Sequence, residues 1–322
     1  MPKMRMTPAI NEAYAEEMTR NPKVILWGED VEISMFGDTR GLHARFGHNR
    51  IRNTPISEMA IMGMAVGAAM AGYRVICHLM FANFMYMGFD ALANQAAKLR
   101  LMTGGQAKIP AVFVGAYGGG TSTAAQHSDT PFTAVMSLGG INVLAPSNAA
   151  DAKGLMKTAL RDDNPSFFFL PRTRAGGMAE VPAGDHLVPL GKAAVLRPGR
   201  HVTIVAIGTC VSHALAAAET LAKENIEAEV IDPRTLVPLD HDTILASVAR
   251  THRLVIADES RDTCSPAGHI AALVADRGFK ELHAPIKRVT TPDSPLPYAP
   301  QLERALLPDP AKIIAAVKQT LA

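Results

Sequence analysis

Short, continuous apolar runs alternate with helical patterns along the whole chain, and this alternation is the strongest constraint on its fold. Five runs in the first half predict buried strands: Val24–Asp30, Arg74–Phe81, Pro110–Tyr117, Ile141–Ser147 and Ser166–Leu170. Helical stretches over Phe84–Met102 and Asn148–Arg161 separate some of these runs. Because buried strands that alternate with helices favour a parallel sheet covered on both faces, we predict a doubly wound α/β domain.

A second alternation of the same kind follows Leu190. It predicts four strands: His201–Gly208, Ala228–Thr235, Arg253–Ser260 and Ile286–Asp293. It also predicts four helices: Ser212–Glu224, Asp242–Thr251, Ala267–Asp276 and Pro310–Leu321. Between Arg174 and Leu190 the periodicity vanishes, and Gly and Pro accumulate. We therefore predict two doubly wound α/β domains, residues 1–175 and 191–322, joined by a linker over residues 176–190.

Charge balance and cysteine spacing argue against several classes of protein. The chain carries 32 Lys and Arg against 30 Asp and Glu, with no dense basic block, so we expect no nucleic-acid partner. The apolar stretch Met59–Gly72 is too short to span a bilayer, and the start of the chain has no apolar signal-peptide core, so we expect no membrane association. Cys77, Cys210 and Cys264 lie far apart, which argues against a disulfide framework or a CxxC metal site and favours a cytoplasmic protein.

A glutamate stands at the entrance to this apolar segment. Ser57 is a good N-cap residue, so Glu58 would occupy the first helical turn, and no other charge follows until Arg74. The helix dipole alone accounts for an acidic residue there. Gly63 and Gly67, however, make a helix that another backbone can approach closely, and such an approach would desolvate the carboxylate. A desolvated carboxyl group is suited to exchange a proton with a bound heterocycle. Both interpretations stay open on these residues alone.

A second polar cluster, Gly115–Thr130, follows a predicted buried strand. Gly-rich loops at the carboxyl ends of parallel strands are where open α/β sheets bind ligands, and no Lys follows these glycines to make a P-loop. His127 is either a candidate for proton transfer or a structural histidine. The neighbouring Ser128 and Asp129 do not indicate a hydrolase, because adjacent triad members rarely converge and no GxSxG motif is present.

Several stretches together resemble the beta subunits of thiamine-diphosphate-dependent 2-oxo acid dehydrogenases, the decarboxylating component of the complex. They are Gly28–Asp30, Arg50–Glu58, Gly63–Gly72, Phe89–Gly105, Ala124–Asp129, Ala145–Pro165, Asp232–Asp240 and Ala284–Pro300. Asp258–Ser265 and Ile270–Phe279 are most similar to acetoin dehydrogenase beta chains, with pyruvate dehydrogenase beta chains close behind. The resemblance implies an N-terminal pyrimidine-binding transketolase-like domain and a C-terminal transketolase-like α/β domain.

The resemblance also implies roles for individual residues. Glu58 matches the glutamate that hydrogen-bonds the aminopyrimidine ring of thiamine diphosphate and favours its imino tautomer. Phe84 matches the aromatic residue that packs on that ring, and Met80 would line the same pocket. His127 matches the catalytic histidine, and its implied role is proton transfer while the two-carbon unit passes to lipoamide.

The resemblance further implies metal sites and a partner chain. A bound K⁺ would be held by Ala159, Leu160, Asp162 and Asn164, with Ala111 nearby. In the family, Mg²⁺ and the diphosphate are held by a Gly-Asp-Gly motif on the alpha subunit. Here Gly37–Thr39 lacks the second Gly, and Gly184–His186 lies in the predicted linker. The chain should therefore supply only the pyrimidine half of the cofactor site and be inactive alone. The resemblance implies that it works in an alpha2beta2 heterotetramer.

The implied reaction is oxidation of acetoin or a 2-oxo acid of the pyruvate type, with acyl transfer to lipoamide. The implied further partners are a lipoyl acyltransferase core and lipoamide dehydrogenase. His78, Met87 and Asp129 depart from the family pattern near the expected pocket, which leaves the substrate open. The alternatives are a branched-chain 2-oxo acid dehydrogenase beta subunit, a split transketolase-type enzyme, and a non-catalytic partner subunit that keeps the fold.

Overall fold

The computed structural model describes residues 2–172 and 177–322. Within that part of the chain, two compact units form. The first comprises residues 2–117, 134–170 and 177–190, and the second comprises residues 118–133, 171–172 and 191–322. The predicted boundary between residues 175 and 176 lies outside the described residues.

The first unit is built on a predominantly parallel sheet. The strands in its half of the chain are β1 (Lys3–Met4), β2 (Val24–Gly28), β3 (Ile51–Asn53), β4 (Arg74–Phe81), β5 (Ala111–Tyr117), β6 (Asn142–Leu144), β7 (Ser166–Pro171) and β8 (Ala179–Glu180). Six of them neighbour one another in the order β6-β7-β5-β4-β2-β3, and the β2–β3, β2–β4, β4–β5 and β6–β7 pairs run parallel. The short β1 and β8 pair antiparallel.

Helices cover both faces of this sheet. They are α1 (Met6–Arg20), α2 (Leu42–Phe46), α3 (Glu58–Met70), α4 (Leu99–Met102), α5 (Phe132–Met136) and α6 (Ala149–Arg161). α1 and α6 bury their apolar side chains against one face, where Leu26 and Ile76 belong to the same core. The next residues along those strands, Trp27 and Cys77, point to the opposite face, where they reach α3. The buried Lys153 on α6 is paired with carboxylates of α1, which removes the cost of an isolated buried charge.

The second unit repeats the design with a five-stranded sheet. The strands in its half of the chain are β9 (Ala194–Arg197), β10 (Val202–Ala206), β11 (Ala228–Asp232), β12 (Thr235–Val237), β13 (Leu254–Arg261) and β14 (Lys287–Thr291), and all but β12 form this sheet. Its helices are α7 (Cys210–Ala222), α8 (His241–Thr251), α9 (Pro266–Arg277), α10 (Pro300–Leu306) and α11 (Pro310–Leu321). The sheet order is β14-β13-β10-β11-β9, with only the β9 edge antiparallel. The chain changes direction across the sheet between β10 and β13, which is where doubly wound sheets open a crevice.

Two local predictions are wrong. The helix expected over Phe84–Met102 is broken into a 3₁₀ segment (Ala82–Gly88), a π-helical segment (Ala91–Ala96) and α4. The break follows from close packing at Gly88, where a Cβ atom would lie 2.8 Å from the carbonyl oxygen of Glu58. The single strand expected over Ala228–Thr235 is two strands, because Pro233 has no N–H to continue a ladder.

The predicted linker also contains structure, since β8 lies within it and pairs with β1. In the described part of the chain, every helix is too short or too polar to cross a membrane.

Candidate active site

Glu58 begins α3, as the sequence predicts, and its side chain is 8% exposed. Ser57 precedes it, but the Ser57 side chain makes no capping hydrogen bond, so the expected cap is wrong. The start of the helix is held from the sheet instead. The indole Nε1 of Trp27 donates to the carbonyl oxygen of Ile61 at 3.1 Å, and the Cys77 thiol approaches the same oxygen at 3.7 Å. Two strands thus fix the first turn that carries Glu58.

The close backbone approach expected along the glycines of α3 is not made by the described residues. A Cβ atom built on Gly63 or Gly67 would meet no atom within 4 Å, and both residues are exposed. The close approach occurs at Gly88, which packs on the Glu58 carbonyl. The Ala82–Gly88 segment therefore packs on the backbone at the start of α3, and the glycine face of α3 stays open in this chain.

A second carboxyl group lies beside Glu58. Glu29 directly follows β2 and is 9% exposed. Burial, and then the negative charge of Glu58, raise the pKa of Glu29 above its usual value. The Gly28–Asp30 stretch contributed to the family resemblance, but nothing local in it indicates that Glu29 faces Glu58.

Met80 lies in an irregular part of β4. The register shifts between His78 and Phe81, and Met80 has a left-handed φ of +55°. The Met80 N–H donates to Nδ1 of His78 at 3.2 Å, and Nε2 of His78 donates to the buried Asp38 at 3.1 Å. These two contacts fix the tautomer of His78, and the bulge holds Met80 at a non-strand angle.

Phe84 belongs to a chain of aromatic rings on the Ala82–Gly88 side of the sheet. Its ring meets Phe81 edge-on at a centroid distance of 5.2 Å, and Phe81 meets Phe36 edge-on at 5.5 Å. Phe84 is only half-buried. Gly88, in the same segment as Phe84, packs on the backbone carbonyl of Glu58, so the fold brings this segment to the start of α3.

His127 belongs to the second unit, where it ends a 3₁₀ turn over Ala125–His127. It is half-buried. Its carbonyl oxygen accepts from Arg172 Nη1 at 2.5 Å and from the Thr123 hydroxyl at 3.3 Å. These contacts hold the backbone of His127.

The loop before His127 is tied to the second unit by acidic residues that sequence reasoning missed. Glu259 on β13 accepts from the Gly119 N–H and from the hydroxyl of Thr209. Glu303 accepts from the Ser122 N–H at 3.0 Å. Asp129 forms an ion pair with Arg261 at 2.7 Å, which gives this departure from the family pattern a structural partner.

A cavity of about 410 Å³ opens at the β10–β13 crevice of the second unit. Its lining includes Thr209, Cys210, His213, Glu259 and Arg304. Burial raises the pKa of the Glu259 carboxyl, and burial with the nearby Glu259 charge raises that of the Cys210 thiol.

The predicted potassium loop follows α6. The carbonyl oxygens of Leu160 and Asp162 accept from Arg74 Nη1 at 3.1 and 2.7 Å, and the Asn164 side-chain oxygen accepts from Arg100 at 2.6 Å. The remaining two predicted ligand residues are Ala159, in the last turn of α6 before this loop, and Ala111, the first residue of β5. A guanidinium on two of the predicted ligand oxygens opposes a second cation there, so this arrangement fits potassium poorly.

Comparison with known proteins identifies the family of this chain. Residues 2–176 match the transketolase pyrimidine binding domain, and residues 191–313 match the transketolase C-terminal domain. The beta subunit of acetoin:2,6-dichlorophenolindophenol oxidoreductase from Bacillus subtilis is 44% identical over 98% of this chain and 96% of its own. The chain belongs to this beta-subunit family.

Other members of the beta-subunit family are similarly related. The pyruvate dehydrogenase E1 component subunit beta of Rickettsia felis is 44% identical over 97% of this chain and 96% of its own. The 2-oxoisovalerate dehydrogenase subunit beta of Bacillus subtilis is 38% identical over 98% of each chain. These matches confirm the resemblance and a thiamine-diphosphate-dependent family.

A solved structure confirms the predicted fold. A split-gene transketolase, described as an inactive beta4 tetramer, superimposes with a TM-score of 0.80 at 24% identity and covers 99% of each chain. At that identity the similarity supports the two transketolase-like α/β domains and nothing further. The roles of Glu58, Met80, Phe84 and His127 stay predictions.

Proposed function

We propose that this chain is the beta subunit of an acetoin dehydrogenase, works only with an alpha subunit, and passes an acyl group to lipoamide. The observation that carries the proposal is the buried Glu58 at the start of α3, in a chain 44% identical to an acetoin oxidoreductase beta subunit. Thiamine diphosphate, when bound, supplies an electron sink for cleavage of the bond next to the substrate carbonyl.

The chain's own residues would bind and orient the pyrimidine half of that cofactor. Glu58 would exchange a proton with the ring, since its carboxyl is buried and held by the fixed first turn of α3. Phe84 offers an aromatic face for stacking, and Met80 an adaptable apolar wall.

The other half of the site would come from the alpha subunit. Neither Gly-Asp stretch in this chain can hold Mg²⁺ and a diphosphate as arranged, because Asp38 is bonded to His78 and Asp185 to Arg161. The open face of α3 also supports a partner chain. Three of its methionines are at least half exposed: Met59, Met64 and Met70, at 67%, 50% and 51%. A helix face of methionine, alanine and glycine suits close packing against another chain.

An alpha2beta2 heterotetramer served by a lipoyl acyltransferase core and lipoamide dehydrogenase is the assembly we propose. Mg²⁺ would be held mainly by the alpha subunit. The loop after α6 fits a K⁺ ion poorly, because Arg74 already donates to two of its five expected ligand residues.

The test is to co-purify the chain with its alpha subunit and assay dye reduction with acetoin, pyruvate and branched 2-oxo acids. We expect acetoin to give a kcat/KM at least about tenfold above the others, a ratio within reach of ordinary pocket discrimination. The beta chain alone should reduce no dye.

Three outcomes would contradict the proposal. Preference for pyruvate or for branched acids would indicate the pyruvate or the branched-chain enzyme instead. Ketol transfer between sugar phosphates without dye reduction would indicate a split transketolase. Stable binding to the alpha subunit with no turnover of any substrate would indicate a non-catalytic partner.

A further inference from the structure

Three metal-binding side chains meet in the first unit, at a place that the proposed reaction does not use. Glu32 lies in the loop after β2, His43 lies on α2, and His48 lies in the turn before β3. Nδ1 of His48 is 3.3 Å from one carboxylate oxygen of Glu32, and Nε2 of His43 is 3.8 Å from the other. All three ligand atoms lie within 4.8 Å of one another.

The Glu32 carboxylate is held in place. It accepts from the N–H of Asn53 at 3.0 Å, while the Glu32 N–H donates to the Asn53 side chain at 2.9 Å. Because this carboxylate is already held in one position, it loses little conformational entropy when it binds a cation.

His43 supplies the second, independent observation. Its Nε2 is buried and makes no hydrogen bond to any of the residues that the structure describes. Buried polar atoms in proteins nearly always have a partner, so an uncommitted imidazole nitrogen that faces a fixed carboxylate calls for one. The 3.8 Å separation is too long for a hydrogen bond to Glu32 to meet that need.

We propose that Glu32, His43 and His48 bind a first-row divalent cation of the zinc class. Imidazole nitrogen with one carboxylate is a ligand set that suits Zn²⁺, whereas Mg²⁺ prefers oxygen ligands. Zn–N and Zn–O bonds of about 2.0–2.1 Å place tetrahedral ligands roughly 3.3 Å apart, close to the observed 3.3 and 3.8 Å separations. The fourth position is open to water or to a partner's side chain.

Such an ion would clamp the loop after β2 to α2 and to the turn before β3. Asn53, which anchors the carboxylate, ends β3 and lies shortly before Glu58 in the chain. The ion would therefore act as a structural brace for the entrance to α3. It would be separate from the Mg²⁺ assigned to the alpha subunit.

The test is a calorimetric titration of Zn²⁺ into the tag-free full-length chain after chelator treatment, repeated with Co²⁺ while its visible absorption is recorded. We expect one equivalent of Zn²⁺ to bind, a Co²⁺ spectrum of the tetrahedral type, and no displacement by excess Mg²⁺. His43→Ala, His48→Ala and Glu32→Gln should each weaken Zn²⁺ binding by at least about tenfold.

The matched control is His269→Ala, which removes an exposed imidazole on α9 and should bind like the parent. Glu32→Gln keeps an oxygen acceptor for the Asn53 N–H, so it reports on charge without loss of the anchor. Unfolding midpoints measured with chelator should be equal for all variants. The proposal is overturned if the parent binds no Zn²⁺, or if binding survives all three substitutions in the cluster.

Discussion

Glu58→Gln should leave the fold and the alpha–beta assembly intact and reduce dye-linked turnover by at least about a hundredfold. Gln has the same shape and can fill the same buried place at the start of α3, where Trp27 and Ile61 fix the turn. It cannot exchange a proton with the pyrimidine ring, which is the role we propose for the carboxyl group. Steady-state assays of the reconstituted enzyme, with a thermal unfolding curve for each protein, measure the effect.

Glu29→Gln is the matched control for this experiment. Glu29 is a second buried glutamate beside Glu58, so its substitution removes a similar charge from a similar place. If the loss in Glu58→Gln reflects proton exchange at one carboxyl, Glu29→Gln should keep most of the activity. Parental activity in Glu58→Gln, or equal losses in the two variants, would contradict the assignment.

His127→Ala should slow acyl transfer to the lipoyl domain by about 10²-fold or more while dye reduction changes much less. When the acyl carbon bonds to one sulfur of the lipoyl disulfide, the S–S bond breaks and the other sulfur leaves as a thiolate that needs a proton. An imidazolium can supply it near neutral pH. The substitution should not unfold the loop, because Arg172 and Thr123 hold His127 through its backbone carbonyl.

Gln126→Ala, on the same 3₁₀ turn, tests whether the turn or the imidazole matters. It should leave both rates near the parental values. Equal losses of lipoyl acylation and dye reduction in His127→Ala would show that His127 acts earlier, at substrate binding or addition. No loss in either rate would make it a structural histidine.

Where the signals are local, the elements follow from the sequence. The predicted bounds of β4 and α11 agree with the structure, since each is an apolar pattern with clear ends. α6 begins where the Asn148 side chain caps it, accepting from the Asp151 N–H. The helix predicted over Phe84–Met102 is wrong for a non-local reason. Gly88 in that stretch packs on Glu58, thirty positions earlier in the chain.

The residues of the candidate site likewise fall into those that a local sequence signal indicates and those that no local signal indicates. Glu58 is marked locally, as a lone charge at the mouth of an apolar helix. The predictions for Met80, Phe84 and the potassium ligands came from family resemblance alone. The Asp38–His78 pair joins positions 40 apart, and the Glu259–Gly119 bond joins positions 140 apart. No periodicity or spacing rule reports contacts of that range.

The most direct test of the account is a calorimetric titration of thiamine diphosphate with Mg²⁺ into the beta chain, the alpha subunit and their mixture. We propose that this chain supplies only the pyrimidine half of the site, because Asp38 and Asp185 are bonded to other partners. We therefore expect weak or no binding to the beta chain alone and tight binding to the mixture. Micromolar binding to the beta chain alone would show a complete site within it and would contradict the account.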